Sequence, residues 1–159
     1  VGNCILCKTC VENCPEGAMK LNEKEKRPQP SSGCLGCSNC ILVCPQKALK
    51  PKVATFDFLL AEAAKAAISK FKKVYFVNFL QRMAKLCDCY NQPLEPVISD
   101  IGILASSDIL AIEKATYDLI LEKEGRDVFK ELNKKSFLEQ LKAAEELKMG
   151  SKEFELERI

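Results

Sequence analysis

The stretch CILCKTCVENCP places thiols at Cys4, Cys7, Cys10 and Cys14, with Pro15 directly behind. CLGCSNCILVCP places them again at Cys34, Cys37, Cys40 and Cys44, ahead of Pro45. Eight of the ten cysteines lie in these two runs, and the chain has no histidine. No basic-then-apolar signal segment opens the sequence, so the cysteines read as metal ligands before disulfides. The lack of histidine removes Ser-His-Asp and Cys-His nucleophilic engines and Cys₂His₂ zinc sites. A Cys₄ zinc knuckle takes two C-x₂-C pairs per metal. A third cysteine two residues on, and a fourth after three more, exceed that need.

The order C-x₂-C-x₂-C-x₃-C-P is the run of bacterial-type two-cluster ferredoxins, in which the fourth cysteine serves the other cluster. Three cysteines separated by two residues each can wrap one loop around three corners of a four-iron cube. The fourth sits a turn further on, and the proline redirects the chain, so it reaches across to the second cube. This reading assigns Cys4, Cys7, Cys10 and Cys44 to one [4Fe–4S] cluster. Cys34, Cys37, Cys40 and Cys14 hold the other.

The runs form an internal repeat. CILCKTCVENCPEGAMK aligns with CLGCSNCILVCPQKALK without a gap, matching Ala18 to Ala48, Met19 to Leu49 and Lys20 to Lys50. Val11 matches Ile41, an apolar pair suited to shielding a cluster from water. Gly36 suits a tight loop because glycine tolerates positive φ. Leu6 stands at the matching place, so the two loops need not be identical electrostatically. The intervening LNEKEKRPQPSSG is charged and proline-rich, a surface connection with at most a short hairpin.

The net charge of +2 with a pI near 8.0 lacks the basic footprint of a nucleic-acid-binding domain. Residues 1–52 carry eight Lys and Arg against four acids, or +4 for the polypeptide. Two oxidised thiolate-bound cubes would each bring about −2 and cancel that excess. No apolar run is long enough to enter and span a bilayer, and the expected location is cytoplasmic.

After Pro51 the texture changes. FDFLLAEAAKAAISKFKK has helical spacing, and VYFVNFL at 74–80 and IGILA at 101–105 read as strands buried on both faces. Ser106, Ser107 or Asp108 caps a helix over ILAIEKATYDLILEKEG, which Gly125 ends. DVFKELNKK is a shorter helix, and SFLEQLKAAEELKMG a further one from Ser136 to Gly150. EFELERI alternates as a final edge strand. The expected architecture is α+β or α/β. A two-cluster ferredoxin-like module over 1–52 precedes a partial α/β domain over 53–159.

Cys87 and Cys89 stand two residues apart and would point the same way on an extended chain. With Asp88 or Asp100 they form a candidate third metal or redox site, although two thiols do not complete a four-coordinate shell. The plainer reading is two small buried residues in a loop. Asp100 and Asp108 read first as turn and cap residues.

CDCYNQPLEPVISDIGILASSDILAIEKATYDLI and AAEELKMGSKEFELERI resemble the C-terminal part of the family catalogued as domain of unknown function 362. That resemblance implies a doubled ferredoxin run inserted into an α/β domain. It also implies a larger N-terminal half before the cysteines, so a chain starting at Val1 is expected to be a fragment. It assigns no chemistry.

Three functions follow as expectations. The first is a carrier that moves single electrons between its clusters and a redox partner protein. The second is an oxidoreductase whose clusters feed a fused site near Cys87, Cys89 and Asp100. The third makes the clusters structural staples for a module with little core of its own. Whether the chain is an enzyme, and its oligomeric state, stay open at this level.

Overall fold

The structure is a computed structural model that describes residues 3–85, 93–133 and 135–159. The chain divides into two compact units, Val1–Leu59 and Leu60–Ile159. Helices and two small antiparallel sheets make it a mixed α+β protein.

The first unit carries two short helices, α1 (Thr9–Glu12) and α2 (Asn39–Leu42), one inside each cysteine run. Between them lies a hairpin of β1 (Met19–Asn22) and β2 (Arg27–Pro30), with Met19 opposite Pro30 and Asn22 opposite Arg27. Asn22 closes its turn, its Oδ1 accepting from the backbone N–H groups of Lys24 at 3.0 Å and Glu25 at 3.1 Å. Side-chain mimicry of a backbone turn is what suits asparagine to this place. Pro28 and Pro30 are tolerated because a two-stranded ribbon leaves one side of each strand without ladder bonds.

The repeat read from the sequence is also a repeat of backbone conformation. Left-handed φ values recur at matched positions: Leu6 (58°) with Gly36 (71°), Lys8 (64°) with Ser38 (65°), and Gly17 (58°) with Lys47 (47°). Hydrogen bonds recur too. Val11 N–H donates to the Lys8 carbonyl at 2.8 Å, and Ile41 N–H to that of Ser38 at 2.9 Å. Ala18 and Ala48, the matched alanines, are both buried. The second run has no strand to match β1, since its continuation at 49–51 is irregular.

Helix α3 (Phe56–Ile68) crosses from one unit to the next. In the second unit β3 (Phe76–Leu80) pairs antiparallel with β4 (Gly102–Ser106), with Phe76 opposite Ser106 and Leu80 opposite Gly102. Helix α4 (Ile109–Glu124) packs on both strands, followed by α5 (Val128–Asn133) and α6 (Leu138–Glu146). Asp108 caps α4, its Oδ1 accepting from Leu110 N at 2.8 Å and Ala111 N at 3.0 Å, and left-handed Gly125 ends it. The core gathers Leu80, Ile98, Ile120 and Val128, with Met83, Val97, Ile101 and Leu104 packed around them. Tyr117 and Phe129 each stack on Phe137, both at 5.8 Å between ring centres.

Three expectations change here. The strands are not buried on both faces. Val77, Phe79 and Ile103 are 52%, 64% and 56% exposed, because α4 covers only the face carrying Asn78 and Leu104. The sixth helix is shorter than Ser136–Gly150, beginning where Ser136 Oγ accepts from Leu138 N. EFELERI forms no strand: residues 153–159 are irregular and exposed, with no ladder to join.

Candidate iron–sulfur centres

Eight free cysteines stand in the first unit, and none is paired in a disulfide. They divide between two cavities. Cys4, Cys7 and Cys10 line one together with Cys44 from the second run, and Val11, Leu21 and Leu49 supply apolar wall. Cys34, Cys37 and Cys40 line the other together with Cys14 from the first run, beside Ile41 and Met19. Val11 and Ile41 therefore face corresponding cavities.

Local backbone chemistry explains how three thiols in one run come to face one space. Leu6 and Lys8 in the first loop, and Gly36 and Ser38 in the second, take left-handed φ before the helix starts. Single left-handed residues among right-handed ones curl successive N–H groups into a concavity that favours anions. Gly36 holds this geometry at no steric expense. Leu6 holds it as a non-glycine, a conformation that costs an L-residue about 1–2 kcal/mol. The helical turn then carries Cys10 and Cys40 inward, and Cys10 is buried.

The thiols sit in different electrostatic surroundings. Burial pushes Cys10 and Cys40 above the ordinary thiol value, opposing thiolate formation in an empty site. The Thr9 hydroxyl, then the Thr9 N–H, hold Cys7 below it. Cys14 is lowered chiefly by the backbone N–H of Met19, with Glu16 and Ala18 adding to it. Thr9 Oγ1 donates to Cys7 Sγ at 3.3 Å, and Ala48 N–H donates to Cys44 Sγ at 3.3 Å. Donors aimed at sulfur stabilise thiolate charge and influence the potential of an iron–sulfur centre.

These features fit a thiolate-bound cube. Each cavity offers four sulfur donors, apolar walls and N–H or O–H donors to sulfur. Among the described residues, no three Cys, Asp or Glu side chains gather closely enough to hold a single metal ion. A tetrahedral zinc site needs all its sulfurs about 2.3 Å from one centre, whereas a cube spreads its ligands over four corners.

The remaining sequence candidates fall elsewhere. Cys87 and Cys89, with Asp88, lie outside the described residues. Asp100 Oδ1 accepts from Arg82 N at 2.7 Å, a bond between residues eighteen apart rather than one within a local turn. Asp108 is a helix cap whose Oδ2 also accepts from Ser151 N at 2.9 Å. Sequence reasoning passed over Thr9 and Asn39, which occupy matched positions just before the third cysteine of each run. Their polarity beside a ligand was the available signal.

Residues 3–48 match the family described as the 4Fe-4S dicluster domain. No curated protein and no solved structure matches the chain. The match places a ferredoxin-type domain at the N-terminal end of this sequence, a domain type whose chemistry is iron–sulfur electron transfer. Among the described residues, no helix is long and apolar enough to cross a membrane.

Proposed function

We propose that the first unit binds two [4Fe–4S] clusters and relays single electrons to and from a redox partner protein. Cys4, Cys7, Cys10 and Cys44 hold one cluster, and Cys34, Cys37, Cys40 and Cys14 the other. The observation that carries this reading is the division of the thiols, three from one run and one from the opposite run at each cavity. When bound, such clusters supply reversible one-electron uptake.

The chain's own residues do the rest. Val11 and Ile41 screen the two cavities from water, which limits hydrolytic loss of iron. The N–H of Ala48 and the hydroxyl of Thr9 place partial positive charge against sulfur. The left-handed turns at Leu6, Lys8, Gly36 and Ser38 prepay the loop geometry, so less order is lost on loading.

Anaerobic reconstitution followed by iron and sulfide analysis tests this reading. About eight iron atoms per chain is the expected value, with a reduced-cluster electron paramagnetic resonance signal after dithionite. Zinc in place of iron, about four irons, or clusters that accept no electron would overturn it.

The second unit we read as the C-terminal part of the domain of unknown function 362. The two segments that carry the resemblance touch in the fold, because Asp108 of one accepts from Ser151 of the other. A larger parent sequence with an α/β half before the first cysteine run supports that reading; a parent lacking one removes it.

A further inference from the structure

The duplicated runs match in backbone but differ in one polar contact, and the difference falls on a sulfur. Thr9 and Asn39 occupy equivalent positions. Thr9 Oγ1 donates to Cys7 Sγ at 3.3 Å. Asn39 Nδ2 instead donates to the Asn13 carbonyl at 2.5 Å, tying one run to the other. Ser38, the residue before it, turns its Oγ to the Gly36 carbonyl at 3.4 Å. So the first run aims a hydroxyl at its middle cysteine, while the polar side chains at the corresponding place in the second are engaged with carbonyls.

We infer that Thr9 is a positioning residue that acts through Cys7 to make the Cys4, Cys7, Cys10 and Cys44 site easier to reduce, separating the potentials of two otherwise duplicated sites. The inference rests on the reading of the eight cysteines as cluster ligands. Its physical basis is differential solvation. Reduction adds one electron, supplied in the cell by a low-potential redox protein and in the laboratory by dithionite. The added negative charge spreads partly onto the thiolate sulfurs. A hydroxyl hydrogen held against Cys7 Sγ interacts more strongly with sulfur after the electron arrives than before. No bond breaks and no proton leaves Thr9.

The Thr9 N–H also faces Cys7, but it is retained in both Thr9→Val and Thr9→Ser, so those variants read the hydroxyl alone. Ala48 N–H serves Cys44, and the N–H groups of Met19, Glu16 and Ala18 serve Cys14, so each fourth cysteine has main-chain support. The Thr9 hydroxyl has no counterpart in the second run.

The test is a potentiometric titration of the full, anaerobically reconstituted chain, followed by electron paramagnetic resonance, for wild type, Thr9→Val and Thr9→Ser. Valine keeps the shape and removes the hydroxyl; serine keeps the hydroxyl. The expected result is about eight irons in all three proteins and one midpoint lowered in Thr9→Val. The shift corresponds to about a tenfold weaker reduction equilibrium, or about 59 mV for one electron. The other midpoint stays in place, and Thr9→Ser restores the first. Two unmoved midpoints, equal movement of both, or a serine variant that behaves like valine would overturn the role of Thr9 while leaving the cluster assignment intact. A wild-type chain with only one cluster would overturn that assignment and this inference together.

Discussion

Gly150 lies so close to Asp108 that a Cβ built on it would sit 2.1 Å from Asp108 Oδ1. The same carboxylate caps α4 through Leu110 and Ala111 and accepts from Ser151. One aspartate thus joins the start of the longest helix to the segment after α6, and the glycine is what lets the backbone come near enough. Gly150→Ala must push the carboxylate off at least one of its donors. We expect a loss of about 1–2 kcal/mol, measured as a lower urea midpoint. Asp108→Ala should cost a similar amount, and Asp108→Asn less, because asparagine also caps well. An unchanged midpoint in Gly150→Ala would show that the contact is not a close one.

Crossing of the fourth cysteine can be read by combining variants. Cys14→Ala should leave the site built on Cys4, Cys7, Cys10 and Cys44, and adding Thr9→Val should then lower the surviving midpoint. Cys44→Ala should leave the site built on Cys34, Cys37, Cys40 and Cys14, and Thr9→Val should then do nothing. The reverse outcome would mean that each run keeps its own fourth thiol.

Gly36 has left-handed φ of 71°, and no atom lies within 4 Å of a Cβ placed on it. Any penalty for Gly36→Ala is therefore a backbone penalty, about 1 kcal/mol. Iron content after reconstitution should be unchanged, with faster cluster loss to a chelator. Gly36→Asn should lose clusters more slowly than Gly36→Ala, since asparagine tolerates this conformation. Equal rates for alanine and wild type would remove the argument. The mirror experiment is Leu6→Gly, which should slow cluster loss at the other site by relieving the strain of a left-handed leucine.

Tyr117 donates its O–H to Asp127 Oδ2 at 2.9 Å, while Asp127 Oδ1 accepts from Lys130 N at 2.9 Å at the start of α5. Burial, then the bond to Asp127, raise the phenol above its ordinary value of 10.0. The raised value belongs to the folded state, so the associated stability is whole below the unfolded value and is lost as pH climbs through the folded one. Tyr117→Phe should cost about 1 kcal/mol at neutral pH. Its thermal midpoint should also fall less steeply than that of wild type above pH 10.0. Parallel alkaline profiles for the two proteins would contradict this.

Much of the molecule was legible before any coordinates. The two cysteine runs, their gapless repeat and the matched apolar pair Val11 and Ile41 are visible in the sequence alone. So is the helix that Gly125 closes, with its cap narrowed to Ser106, Ser107 or Asp108, because caps and helical periodicity depend on residues a turn apart. The antiparallel pairing of β3 and β4 was less accessible. A continuous apolar run reads as doubly buried, but burial depends on how many layers pack against a sheet, and only α4 does so among the described residues.

By itself, then, the sequence marked the candidate ligands and the tight loop at Gly36, since thiol spacing, glycine and proline act within a few bonds. The doubled spacing already grouped Cys44 with Cys4, Cys7 and Cys10, whereas only the tertiary structure decided that Thr9 faces a sulfur while Asn39 faces a carbonyl, and that Gly150 lies against Asp108. Those are relations between segments distant along the chain, or choices among rotamers that packing makes. Spacing carries no information about either until the backbone has folded back on itself.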